Sequence, residues 1–388
     1  MPASAFAWRE SFDAQAFLTR AWQRRPVLIR QAWQHWQNPL APDYLAGLAC
    51  RSEVESRLVI GGKRGWRLEH GPIAATRFAS LPKKNWTLLV QAVDQHVPAV
   101  ARLLDAFCFL PDWRIDDVMV SYAADGGGVG PHFDQYDVFL VQGLGQRRWQ
   151  VGPRCNANTA LLSDVSLRLL PGFVVKHEWL LEAGDVLYLP PGFAHHGIAV
   201  GDDCMTYSIG FRAPSRAELL GHWVDALIDD LNEDDRYTDG VLALPDNPGE
   251  IDSASLARLH GLVRGALSDG GDFAHWFGRY VTTPKYPELV VGPRRPLAAA
   301  RLRARLARGE GLTREPTSRF AFVRHARAVT LFVDGLAYEC QGAAARWAAQ
   351  LCAHRAAPVV AADLRASASL QLALALYNAG ALVFDRGR

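Results

Sequence analysis

The chain carries the stretch GPHFDQYD at residues 130–137, in which a histidine, His132, stands one residue away from a carboxylate, Asp134. In a strand, residues two apart point to the same side, so the imidazole and the carboxylate share one space, and Tyr136 joins them if the strand stays regular. Alone, such a pair fits equally a surface histidine beside an aspartate at a strand start. Here it follows a glycine-rich bend, DGGGVGP, that leaves room beside the two side chains, and precedes an apolar run, DVFLVQ. A second source of imidazole comes 63 positions later in GDVLYLPPGFAHHGIAV, where a rigid Pro-Pro-Gly turn leads to His195 and His196. Spacing does not choose between those two. Two imidazoles and one carboxylate on one side of a metal leave three positions open, as non-haem Fe(II) needs to take up both a cosubstrate and O2. A tetrahedral zinc site built on the same residues leaves one.

A cation could complete such a site. After GLG, the residues QRRWQ place Arg147 and Trp149 on one face of a strand and Arg148 and Gln150 on the other. If the first pair faces inward, the Arg147 guanidinium suits bidentate capture of the distal carboxylate of a dicarboxylic cosubstrate. The competing reading is a pair of solvated hairpin arginines.

These residues need a scaffold. From 113 to 212 the pattern is strand, turn, strand: DDVMVSYA, DVFLVQ, RRWQVG, HEWLLEAGDVLYLP and HGIAVGDDCMTYSIGFRAP, punctuated by Gly and Pro. That rhythm predicts an antiparallel sandwich or barrel. Before it, short helices surround the extended piece RPVLIRQAW, GGKRG marks a hairpin within 53–75, and residues 92–111 have helical spacing up to Pro111. After it, Ser215 with Glu218 forms a capping box that opens an amphipathic helix, and more helix follows at 252–280. Prolines break up 283–296, a linker. The remainder reads as helix, a hairpin turning at Asp-Gly, and two further helices, a weak winged-helix signature.

Charge divides the chain in the same way. Residues 215–252 hold eleven acids against two bases, and residues 294–388 hold fifteen arginines against six acids, within a net charge of +2. The basic last part could lie against something anionic, RNA included. The six cysteines are scattered without a Cys-x-x-Cys pair, which argues against a zinc ribbon or a disulfide framework. No secretory signal and no membrane-spanning apolar run stands out, so the expectation is a cytoplasmic protein. DDLNEDDRYTD lacks the glycine and closing glutamate of a calcium loop. His70, His96, His177, His222, His260, His275, His325 and His354 have no ligand-like partners at useful spacing.

GPHFDQYDVFLVQGLGQRRWQVG, GDVLYLPPGFAHHG and YSIGFRAPS together resemble the JmjC-type, cupin-fold Fe(II)/2-oxoglutarate oxygenases of bacteria, specifically the ribosomal oxygenases. FLTRAWQRRPVLI, FLPDWRIDDVMVSYA, FAHWFGRYV and ALALYNAGALVF extend the resemblance over nearly the whole chain. It implies an α+β protein: a jelly-roll (double-stranded β-helix) catalytic domain at 1–212, a helical dimerisation region at 213–282 and a winged-helix-like domain at 283–388. It further implies His132, Asp134 and His195 as iron ligands, His195 being favoured over His196 because the family ligand follows PPGF plus one residue. Arg147 would anchor 2-oxoglutarate, with Ser121 and Ser208 as hydroxyl donors to it, although a buried serine often bonds its own backbone instead. The implied substrate is an arginine, oxidised at its β-carbon, of large-subunit ribosomal protein L-sixteen. For that guest, Asp117 is the candidate acceptor and Tyr136 the candidate stacking surface. Rival readings are a 2-oxoglutarate oxygenase for another protein, such as a lysine-bearing tail, and a non-catalytic, metal-stabilised ribosome-assembly adaptor.

Overall fold

The computed structural model describes residues 6–62, 65–163, 168–239, 247–269, 272–353 and 359–384, with positions 241, 244 and 355. His354 lies outside the described residues. The chain begins with α1 (Ala14–Arg20), capped by the Asp13 carboxylate, then β1 (Val27–Ile29) and α2 (Pro42–Ala49). A hairpin follows, β2 (Ser56–Gly62) and β3 (Gly65–His70), then α3 (Ala75–Ala79) and β4 (Trp86–Val90). The helical spacing of 92–111 is realised in pieces: α4 (Val93–His96), α5 (Pro98–Ala101) and a 3-10 turn at Arg102–Phe107. Pro98 accounts for the break, because it holds Val97 extended at φ −129°, ψ 102°.

The jelly roll is built from β5 (Ile115–Ala123), β6 (Asp137–Arg154), β7 (His177–Glu182), β8 (Val186–Leu189) and β9 (Phe193–Phe211). All pairings are antiparallel, in the order β1-β8-β6-β9-β5-β4-β2-β3, with β7 on the far part of β6. The turn expected at Gly143-Leu144-Gly145 is not a reversal. β6 runs through it as one strand of 18 residues, with register shifts against β9 on either side of Leu144. β9 continues alongside with its own irregularity, residues 201–204 lying between the partners of Leu144 and Gln146, and Gly145 at φ 60° takes the left-handed step. Inside the roll an aromatic core forms around Phe139, with Phe17, Phe107, Tyr188 and Phe211 within 4.9–5.6 Å of its ring centre. Successive side chains on one strand therefore alternate between this core and a separate cavity, as Phe139 and Val141 against Val138 and Leu140 show.

The middle helices are α6 (Arg216–Asp230), opened by the Ser215–Glu218 capping box, α7 (Ser253–Asp269) and α8 (Phe273–Thr282). The C-terminal module adds α9 (Ala299–Ala307), β10 (Leu312–Arg314), β11 (Phe320–Arg324), β12 (Ala328–Val333), β13 (Leu336–Gln341), α10 (Gly342–Ala353), α11 (Ser367–Asn378) and β14 (Leu382–Phe384). Its hairpin turns at Asp334-Gly335, both at positive φ, as the Asp-Gly pair predicts. α8 lies on this module: Gly278 faces the Phe332 ring and His275 meets it edge-on at 5.7 Å. α8 also packs back, its Phe273 and Trp276 rings 5.4 and 5.0 Å from Trp223 of α6.

Much of the C-terminal arginine surplus is spent within the molecule. Arg355 reaches Asp112 at 3.0 Å, Arg319 donates to the Asp116 carbonyl at 2.8 Å, and Arg305 and Arg308 share Glu310. Arg319 thereby fastens the C-terminal module to β5, and Arg355 to the 3-10 turn before it. Among the described residues no helix is long and apolar enough to cross a membrane. All six cysteines are free.

Candidate active site

The segment carrying His132 and Asp134 is not a regular strand, which corrects the reason for their proximity. His132 forms an isolated antiparallel bridge with His195: each donates its backbone N–H to the other's carbonyl, at 3.0 and 2.8 Å. Asp134 is tied to the Pro-Pro-Gly turn by Gly192, whose N–H donates to the Asp134 carbonyl at 2.6 Å. Main-chain bonds across 63 residues therefore set the spacing. The preceding glycines make close contact with neighbouring backbone instead of leaving room. A Cβ on Gly128 would lie 2.3 Å from the Gly197 carbonyl oxygen, and Gly130 holds φ at 89°.

The side chains converge. Asp134 Oδ2 lies 3.5 Å from His195 Nε2 and 3.9 Å from His132 Nε2, and the three donors fall within 4.8 Å of one another. Both rings are oriented by a carbonyl: His132 Nδ1 on Gly130 and His195 Nδ1 on Phe193, each at 2.9 Å. An Nδ1–H held in this way leaves the Nε2 lone pair free. Burial, and then the neighbouring His132 ring, pushes His195 down to about 4, so it is neutral at pH 7 and able to bind a metal. His196 belongs to the other face of β9. It is absent from the donor cluster and is pushed down to about 4 by burial and by the adjacent His132 and Arg147. Two imidazoles and a carboxylate, wide for hydrogen bonds but near enough to close on one ion, fit a divalent transition metal.

A cavity of about 410 Å³ opens from this cluster. His132, Asp134, His195, Tyr136, Ser121, Ser208 and Arg147 all line it. Arg147 is 4% exposed, and its Nε and Nη2 have no hydrogen-bond partner among the described residues. Trp149 lines the same wall with its Nε1 also unpartnered, its ring 5.8 Å from the guanidinium carbon. Buried charged donors without partners are rare and expensive, and here they face open space. Arg148 is exposed, as the alternation requires. Ser121 is within 3.5 Å of the Thr206 carbonyl, a long bond that leaves its hydroxyl free to turn.

Asp117 does not line the cavity. It is buried one step further along the strand face, where Gln91 Nε2 donates to both its oxygens at 3.0 and 2.8 Å and Lys285 Nζ donates to Oδ2 at 3.0 Å. Burial and Asp116 push its carboxyl up, and Lys285 and Gln91 oppose that shift. Asp116 contacts Arg212 and Arg319. Of the residues that matter here, the sequence reading missed Gln91, Lys285 and Thr206. Thr206 was legible as the position two before Ser208 on β9; Gln91 and Lys285 come from distant segments with no local signal.

The comparisons with known proteins agree with this geometry. A JmjC domain family model matches residues 102–219, and a ROXA-like winged-helix model matches residues 266–383. The chain is 38% identical over 298 residues to the ribosomal protein uL16 3-hydroxylase of Escherichia coli K12, covering 77% of this chain and 79% of that one. The chain belongs to the ribosomal oxygenases. A crystal structure of one member, the E. coli ribosomal oxygenase YcfD in complex with cobalt and 2-oxoglutarate, superposes with a TM-score of 0.84 at 32% identity, covering 98% of this chain and 99% of that one. Ribosomal oxygenase 1 of Danio rerio is 27% identical over 246 residues, 55% of this chain and 40% of that protein. Family membership covers both the jelly roll and the winged helix, and α8 falls inside the winged-helix match.

Proposed function

We propose that this chain is an Fe(II)- and 2-oxoglutarate-dependent oxygenase that hydroxylates an arginine side chain of ribosomal protein uL16 at the β-carbon. The observation that carries this reading is the buried, unpartnered Arg147 guanidinium facing the same cavity as the His132–Asp134–His195 donor cluster. A dicarboxylate that chelates the metal at one end finds its counter-charge at the other. Its relatives support the rest: the E. coli K12 protein is named for 3-hydroxylation of uL16, and YcfD binds cobalt and 2-oxoglutarate.

His132, Asp134 and His195 hold the metal through Nε2, a carboxylate oxygen and Nε2. The bound iron and cosubstrate supply the chemistry: O2 is reduced, 2-oxoglutarate becomes succinate and CO2, and an unactivated C–H bond is oxidised. The chain supplies placement. Arg147 and Trp149 fix the far carboxylate through donors that have no other partner, with Ser121 and Ser208 as further hydroxyl donors beside it. Tyr136, 43% exposed at the mouth, offers its face to the guest guanidinium, and Asp117 is the acceptor behind it. No acid or base from the protein is required.

The catalytic unit is residues 1–212. The helical region from 213 pairs two copies, because α6 and α7 expose Leu220, Ile228, Leu256, Leu259 and Val263 on a surface with little other use. The winged-helix unit follows and includes α8. The work takes place in the cytoplasm, where the ribosomal partner is made, and RNA beside that partner can meet the basic C-terminal surface. Mass spectrometry of uL16 from cells with and without this chain tests the reading: a 16 Da gain on one arginine is expected. Asp134→Ala abolishes it, and normal succinate formation by that variant would remove the mechanism.

A further inference from the structure

The face that floors the cavity runs beyond its lining residues. Leu89 of β4 pairs with Ser121 of β5, and Ser121 and Met119 pair with Thr206 and Ser208 of β9; beyond Met119, within the register shift between Ile115 and Val118, lies Asp117, reached by the Gln91 side chain. Tyr136 lies close by: a Cβ on Gly210 would sit 3.9 Å from its ring and 4.0 Å from the Asp117 carbonyl oxygen. The only cation on Asp117 among the described residues comes from outside the roll. Lys285, in the segment after α8, places Nζ 3.0 Å from Asp117 Oδ2 and 3.8 Å from Asp116 Oδ2. Its neighbour Tyr286 donates a hydroxyl to Glu55 at 2.7 Å, so the segment is strapped from β5 to the entry of β2.

We propose that Lys285 is a resident stand-in for the guest guanidinium, holding Asp117 until an arginine side chain enters beside Tyr136 and takes its place. The inference rests on the arginine reading above. The Asp117 side chain is only 4% exposed, so it cannot be stripped of its cation without leaving an uncompensated buried charge; a guest must exchange for Lys285, not add to it. The exchange favours a guanidinium. Lys285 makes one hydrogen bond to Asp117 and a looser 3.8 Å contact to Asp116, and is 29% exposed, so its ammonium can swing into water. An arginine brings two parallel donors and a flat face for Tyr136. A guest lysine would only replace one ammonium by another and gain nothing for the loss, which disfavours lysine-bearing substrates.

The test uses the full-length enzyme with uL16 as substrate and measures KM for uL16 and for 2-oxoglutarate in the same assays. Lys285→Met keeps the length and removes the charge; it should lower KM for uL16 about tenfold relative to KM for 2-oxoglutarate, the scale of a partly exposed ion pair. Lys285→Arg, which grips the carboxylate with a fork, should raise it by a similar factor. A Met variant with unchanged or higher KM for uL16 overturns the proposal, because a residue that merely holds Asp117 in place would give that result. Should the Met variant not fold, the Arg variant decides alone, and an unchanged or lower KM overturns the proposal. A wild-type enzyme that leaves every arginine of uL16 unmodified overturns the functional reading and this inference with it.

Discussion

Arg147→Met separates stability from cosubstrate binding. In the wild type, Nε and Nη2 are buried without partners, at a cost of about 1–3 kcal/mol for each unsatisfied group. The Trp149 face at 5.8 Å returns about 1 kcal/mol of this. Methionine fills similar volume with no donors, so the ligand-free protein should gain about 2 kcal/mol. For a unit of roughly 200 residues that raises Tm by about 4–8 °C. Binding changes in the opposite direction. Two charge-assisted hydrogen bonds to the distal carboxylate, about 1.5–3 kcal/mol each, are lost, which weakens 2-oxoglutarate by roughly 10²–10⁴-fold. Thermal unfolding with Mn(II), with and without 2-oxoglutarate, reads both effects. Wild type should start lower and rise with ligand; the variant should start higher and stay flat. A variant whose ligand-free Tm falls, or that keeps the wild-type ligand response, refutes the assignment of Arg147 as an unsatisfied anchor.

Asp94 is buried below the same strand, accepts the Val118 N–H at 2.8 Å, and is pushed up from 3.8 to about 7 by burial and then by Asp117. The native state keeps this proton between about pH 4 and 7 while the unfolded chain loses it, so this group's contribution to stability falls as pH rises through that window and is flat above it. Asp94→Asn keeps the acceptor for Val118 and should remove a pH-dependent cost of at most roughly 4 kcal/mol. Urea unfolding should therefore show a larger gain at pH 8 than at pH 5, and the reverse order would contradict the burial argument. Gly197→Ala places a Cβ 2.6 Å from the Trp149 ring and should cost about 1–3 kcal/mol while raising KM for 2-oxoglutarate; unchanged values would mean that this contact relaxes freely. Glutamates at Leu259 and Val263 on α7 should convert a dimer to a monomer in light scattering, and a wild type already monomeric would remove that interface.

The donor cluster and the buried arginine could be read in the sequence for different reasons. Arg147 and Trp149 followed from strand alternation, a local rule that holds because β6 stays paired with β9 on both sides of its bulge. His132 and Asp134 were paired for a reason that fails in detail: the segment is a bridge and a loop, and the two side chains meet through main-chain bonds to His195 and Gly192. The choice of His195 over His196 needed the resemblance, and the structure shows its physical basis in the opposite faces of β9. Two features escaped because their causes are non-local. The length of β6 depends on a partner strand that runs past the glycines, and the Lys285–Asp117 contact joins residues 168 positions apart. That α8 packs on Phe332 as well as on Trp223 was not legible either, since a helix's apolar stripe does not say which neighbour it will cover.

The mutual N–H to carbonyl pair between His132 and His195 has a bearing on how the enzyme holds its ion. The two rings are brought together by main-chain pairing across 63 residues. The ion's two nitrogen donors are thus placed by sheet pairing between distant segments, and not by either segment's local sequence.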